Sequence, residues 1–142
     1  MADNLPDAME KALADYYLKT AGSTAMTQIT SSSIWAGLCS TTPTETTTNE
    51  VTTGLNGYAR AQVIFVTAAS GDAGCLGPSA AVSFPSASGS WGTINGYGLF
   101  PYSTGSSGVS AYLAWGVVSP TVAVTTNDTV SFAASALTLA FG

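Results

Sequence analysis

Acid–base chemistry in this chain would have to come from carboxylates. It has 142 residues, eight Asp and Glu, three Lys and Arg, and no His. Without imidazole, Ser-His-Asp triads, Cys-His pairs and His-ligated metals are all excluded. Four carboxylates sit in the opening segment, and the others are Glu45, Glu50, Asp72 and Asp128. Two of these last four could act as a glycosidase pair, one giving a proton and one attacking or activating water. All four fall in stretches that read as loops or turns, where a carboxylate solvates or caps, so no catalytic residue is assigned. A calcium loop of the D-x-D-x-D-G kind is absent, and neither a metal nor a cofactor is expected. Lys11, Lys19 and Arg60 are too few cations to neutralise several phosphates, which argues against nucleic acid as a partner.

The remaining motifs read as structure. Gly92, Gly96 and Gly98 interleave with Trp91, Ile94, Tyr97, Leu99 and Phe100. A phosphate loop would need a strand before and a helix after. These glycines are expected to relieve crowding in a twisted strand or to mark a bulge. The aromatics are expected in the core, with a sugar-binding surface as the alternative use of the same rings. Asn127-Asp128-Thr129 has the form of a glycosylation sequon but reads better as a hairpin turn. Cys39 and Cys75 are the only cysteines, have no C-x-x-C spacing, and are expected to be reduced thiols; pairing stays open.

The elements that would position these residues divide the chain in two. Residues 1–22 read as one amphipathic helix, an N-terminal arm. Asn4 caps it, Pro6 suits its first turn, Lys19 sits in its last turn and Gly22 stops it. Leu5, Met9, Leu13, Tyr16 and Tyr17 make its apolar stripe and are the candidate interface residues. Residues 23–142 read as a mainly β domain, an antiparallel β-sandwich of jelly-roll-like kind. Strands are expected over 34–39, 58–67, 80–84, 91–100, 110–118, 121–124, 129–132 and 137–141, with a Thr-rich loop over 40–53. Val82-Ser83-Phe84-Pro85 is echoed by Val130-Ser131-Phe132-Ala133. One echo is too little for a repeat fold.

Composition sets the surface. Ser and Thr number 18 and 20, and only 8% of residues are charged against about 25% in an ordinary domain. Six of the eleven charges lie between positions 3 and 19, and none lies between positions 73 and 127. That uncharged run is broken throughout by Gly, Pro, Ser and Thr, so it is no membrane helix. No stretch near the start reads as a signal peptide. Hydroxyls keep a sheet polar without charge, and such a face can meet a neighbour without burying unpaired charges.

The order of motifs resembles a known family. After the charged opening segment come Trp35-Ala36-Gly37-Leu38-Cys39, Glu50-Val51, Gly57-Tyr58-Ala59-Arg60 and Val82-Ser83-Phe84-Pro85. Then follow Ser90-Trp91-Gly92, Gly98-Leu99-Phe100, Leu113-Ala114-Trp115-Gly116 and Asn127-Asp128-Thr129-Val130-Ser131-Phe132. Over nearly its whole length the chain resembles small virion proteins of tailed bacteriophages, labelled tail fibre or head decoration proteins. That resemblance implies a structural protein rather than an enzyme. The first expectation built on it is a decoration or cement protein on the capsid exterior, assembled in the bacterial host cytoplasm, which bridges subunits of the major capsid protein. A homo-oligomer is expected, with a trimer favoured. The alternatives are a tail, baseplate or fibre subunit, and a host-glycan-binding module that uses Tyr97 or Tyr102.

Overall fold

Short apolar runs separated by Gly, Ser and Asn turns pair into six antiparallel strands. The computed structural model describes residues 34–65, 80–104, 112–134 and 136–137. The strands are β1 (Ile34–Cys39), β2 (Ala61–Val63), β3 (Val82–Ser83), β4 (Gly92–Phe100), β5 (Ala114–Val124) and β6 (Ser131–Phe132). Four of them form a sheet in the order β2-β1-β4-β5, and β3 and β6 form a second, two-stranded sheet. No helix among the described residues is long and apolar enough to cross a membrane.

Register sorts the side chains of the large sheet onto two faces. Ala36 opposes Ala61 on one side and Leu99 on the other, and Leu38 opposes Tyr97. These residues point to the core face, where Ala36, Leu38, Val63 and Leu99 are buried. The small sheet lies against this face. The Phe132 ring meets Tyr97 at 5.4 Å and Phe84 edge-on at 6.1 Å, and Tyr58 lies between Phe84 and Trp91. Each such large apolar side chain contributes about 1.5–3 kcal/mol on leaving water.

The repeated Val-Ser-Phe words explain the small sheet. They are the two strands that pair with each other, Val82 opposite Phe132 and Ser83 opposite Ser131, and the Phe84 N–H donates to the Val130 carbonyl at 2.9 Å. In each word a valine and a phenylalanine flank an exposed serine, so the same three letters give a strand with one core-facing side.

Several expected strands change length for identifiable reasons. The strand expected over 58–67 shrinks to β2. Leu38, beyond the reach of β2, instead donates its N–H to the Tyr58 hydroxyl at 2.7 Å, while its carbonyl accepts from the Val51 N–H at 2.9 Å. Side chain and loop thus complete the ladder where the strand stops. The strands expected over 110–118 and 121–124 join into β5 through Ser119 and Pro120, whose peptide bond is cis. Ile94 opposes Val122 and Gly96 opposes Val117, so Asn95 alone faces an arch of four β5 residues. The bulge expected among the glycines is here. The turn at Asn127-Asp128 exists, with Asn127 in the left-handed region at φ 69. It is not a hairpin: β5 and β6 belong to different sheets, and the turn carries the chain from one to the other.

The fold is mainly β and antiparallel, as the composition implies. The six described strands are arranged four plus two, and the jelly-roll-like order expected from the sequence is not established by them. The expected helix over 1–22, its stripe Leu5, Met9, Leu13, Tyr16 and Tyr17, and the boundary to 23–142 lie outside the described residues.

Candidate functional site

The face of the large sheet opposite the core is floored with glycine. Gly37 and Gly98 oppose each other across β1 and β4, and Gly96 opposes Cys39. The missing side chains make room for what lies above. A Cβ at Gly37 would stand 2.5 Å from Glu50 Oε1 and 2.8 Å from Phe100 Cε2, and one at Gly98 would stand 3.0 Å from the same ring carbon. Pro43 occupies the space over Gly96. A larger residue at Gly37 would displace the Glu50 carboxylate that the loop over 40–60 lays onto the sheet, and one at Gly98 would press on the Phe100 ring.

Those groups form a closed polar cluster. Glu50 and Arg60 make a two-pronged ion pair, with Nε donating to Oε1 at 2.8 Å and Nη2 to Oε2 at 2.6 Å. Their side chains are 5% and 0% exposed. The Tyr58 hydroxyl donates to Glu50 Oε1 at 3.0 Å while accepting from the Leu38 N–H. Arg60 Nη1 donates to the Tyr102 carbonyl at 2.9 Å, and the guanidinium lies 3.5 Å above the Phe100 ring centroid. A planar guanidinium suits all three tasks at once, which a lysine ammonium would not. Two opposite charges this deep are tolerated as a paired, hydrogen-bonded unit, each offsetting the desolvation of the other.

The cluster sets the chemistry of its neighbours. Cys39 is a free, buried thiol, pushed up to about 12 first by burial and then by the charge of Glu50, with Arg60 pulling the other way. At neutral pH it is protonated and unreactive toward electrophiles. Burial, then the Glu50 charge, raises Tyr58 beyond the usual phenol range. The loop tip is held as well: the Tyr112 hydroxyl donates to the Thr44 carbonyl, and Asn49 Nδ2 donates to Thr41 Oγ1 at 2.8 Å. What the arrangement does is mechanical. It fastens a Thr-rich loop to a sheet through one almost fully buried ion pair.

Other residues weighed in the sequence are scattered. Glu45 is exposed on the loop, and Asp128 caps its own turn, accepting from the Thr125 N–H at 2.7 Å and Oγ1 at 2.8 Å. Those bonds hold the Asp128 carboxyl below its ordinary range. Asp72 and Cys75 lie outside the described residues. Among the described residues no three His, Cys, Asp or Glu come together as metal ligands. Tyr97 packs on Phe132 over the core face, whereas Tyr102 stands beside Arg60 over the glycine floor. The two tyrosines proposed for a glycan therefore do not share a surface. Sequence reasoning assigned no role to Glu50 and Arg60 and so missed the cluster. The available signal was that Arg60 is the one cation after position 19.

A second feature is an apolar groove of about 380 Å³ at the edge of the core, lined by Leu38, Tyr97, Val117, Val122, Phe132 and Leu137 among others.

Comparison with known proteins adds the context that geometry lacks. Residues 4–140 match the model of a family described as podophage GP4 fiber I protein gp80. A search of curated proteins finds no match. The match spans nearly all of the chain, and with it the resemblance carried by the Trp, Gly and Val-Ser-Phe motifs holds. The chain belongs to the podophage GP4 fiber I protein gp80 family and is a structural protein of the phage virion.

Proposed function

We propose that this chain is a fibre-type subunit of the virion, a rigid β module whose work is to hold position and present surface. The observation that carries the reading is the family match over residues 4–140 to a protein named as a fibre. The fold is consistent with it. The loop over 40–60 is locked to the sheet by a buried ion pair, and its exposed rim is built from Ser40, Thr41, Thr42, Thr44, Thr46 and Thr47, with Glu45 as its one charge. Such a surface can meet another virion protein while placing few ions in the contact.

A second reading is the decoration of the capsid exterior expected from the sequence, with the major capsid protein as partner. One observation favours it: the described residues form one short-stranded β module and contain no repeating shaft. The two readings differ in stoichiometry. Purified virions, quantified by mass spectrometry against the major capsid protein, are expected to hold far fewer copies of this chain than of the shell subunit. Near-equal abundance would replace the fibre reading with decoration.

A further inference from the structure

Among the described residues β5 pairs only with β4, so alternate N–H and C=O groups on its other side point away from the sheet. Proteins blunt such an edge with lysines, with short length or with a segment that covers it. β5 has eleven residues and no charged side chain. Beside it opens the apolar groove, lined by Val118, Pro120, Val122 and Phe132 among others, with Val122 41% exposed. Edge and groove together suit one extended segment, hydrogen-bonded along its backbone and apolar on a single face. After β6 the chain turns, with the Ala136 N–H donating to the Ala133 carbonyl at 3.0 Å. Leu137, the last described residue, is 2% exposed and lines the same groove. The chain is therefore already inside the groove when it reaches position 138.

We propose that the chain's own residues 138–142 cover this edge, running beside β5 as a fifth strand of the large sheet. Three observations select this occupant. Leu137 brings the segment to the edge, so no long linker has to be ordered. Leu137-Thr138-Leu139-Ala140-Phe141 alternates at the period of a strand, with large apolar residues at odd positions and small ones at even positions. Leu139 and Phe141 then follow Leu137 into the groove, while Thr138 and Ala140 face away. Residues 138–142 carry no charge, as β5 carries none, so the pairing buries no ion. Five strand residues extend about 17 Å, about half the length of β5. An edge closed from within leaves contacts with other proteins to side chains instead of open backbone.

Amide hydrogen exchange of the purified full chain, read residue by residue by NMR, tests the pairing wherever the protein sits on the particle. In the wild type, outward-facing β5 amides beside the groove should exchange about tenfold or more slower than free amides, at every protein concentration. Leu139→Asp/Phe141→Asp should return them toward free rates. Thr138→Asp/Ala140→Asp, with its charges on the opposite face, should leave them protected. Slow exchange in β1 and β4 of both variants should show that the fold is kept. Nuclear Overhauser contacts from the Phe141 ring to the Val118 or Val122 methyls should appear in the wild type, a readout that needs no variant. Free exchange at the wild-type edge, equal effects of the two variants, or absence of those contacts would each overturn the proposal. Protection that falls on dilution would overturn it too, because the covering strand would then come from another molecule.

Discussion

Glu50 and Arg60 lie ten positions apart in sequence and on top of each other in the fold, over two residues that have no side chain. Gly37 and Gly98 matter because the carboxylate and the Phe100 ring occupy the space where their Cβ atoms would be. Removing one member of the pair strands the other, so Glu50→Gln or Arg60→Met should each lose about 3–5 kcal/mol in urea unfolding. The double variant Glu50→Gln/Arg60→Met should lose less than the sum, because no charge is left buried; additive losses would show that the pair is not coupled. The buried Cys39 and Tyr58 give the pH dependence. Both have folded values raised above the ordinary 9.0 and 10.0, so their contribution is complete below those values and declines as pH rises through them. Melting temperature should therefore fall as pH rises from about 9 toward about 12, and Cys39→Ala combined with Tyr58→Phe should flatten that slope. An unchanged slope in the double variant would contradict the assignment. Residue types alone showed that imidazole chemistry was excluded. They did not show the ion pair, because Glu50 and Arg60 meet only once the loop over 40–60 folds back onto the sheet.

At the level of elements, legibility followed local pattern. β1 and β4 alternate apolar and small residues with clear turn signals on either side, and their bounds read almost directly from sequence. β2 did not, because the run from 58 to 67 is apolar enough for a long strand. Tyr58 and Arg60 are instead drawn into the polar cluster, a tertiary contact that strand propensity does not encode. β5 was read as two strands because Pro120 signals a break, and the bulge opposite Asn95 absorbs it. The Val-Ser-Phe echo was visible as text, but that its two occurrences would pair was not. Phe84 packs between Tyr58, whose loop lies on the large sheet, and Phe132, which meets Tyr97 of β4, so it helps seat the small sheet on the large one. Phe84→Ala should cost about 3–5 kcal/mol by chemical denaturation, as a large cavity in a core does. A loss well under 1 kcal/mol would mean the small sheet is not docked on the large one.

For the whole molecule, the sparse charge is the unifying fact. Five of the eleven charges lie beyond position 19, and two of them cancel inside the Glu50–Arg60 pair. Among the described residues the exposed charges are Glu45 and Asp128, and the rest of the exposed surface is mostly hydroxyl, amide and scattered apolar side chains, suited to close contact with other proteins of a particle. Composition suits assembly without selecting it and gives no location, since a shell-bound and a fibre-bound module ask the same of a surface. The family match points to the fibre. The measurement that tests this most directly is electron microscopy of intact virions labelled with gold-conjugated antibody against this chain. The account predicts gold on fibres projecting from the particle, with the head shell bare. Gold spread over the head shell, or no gold on particles at all, would contradict it.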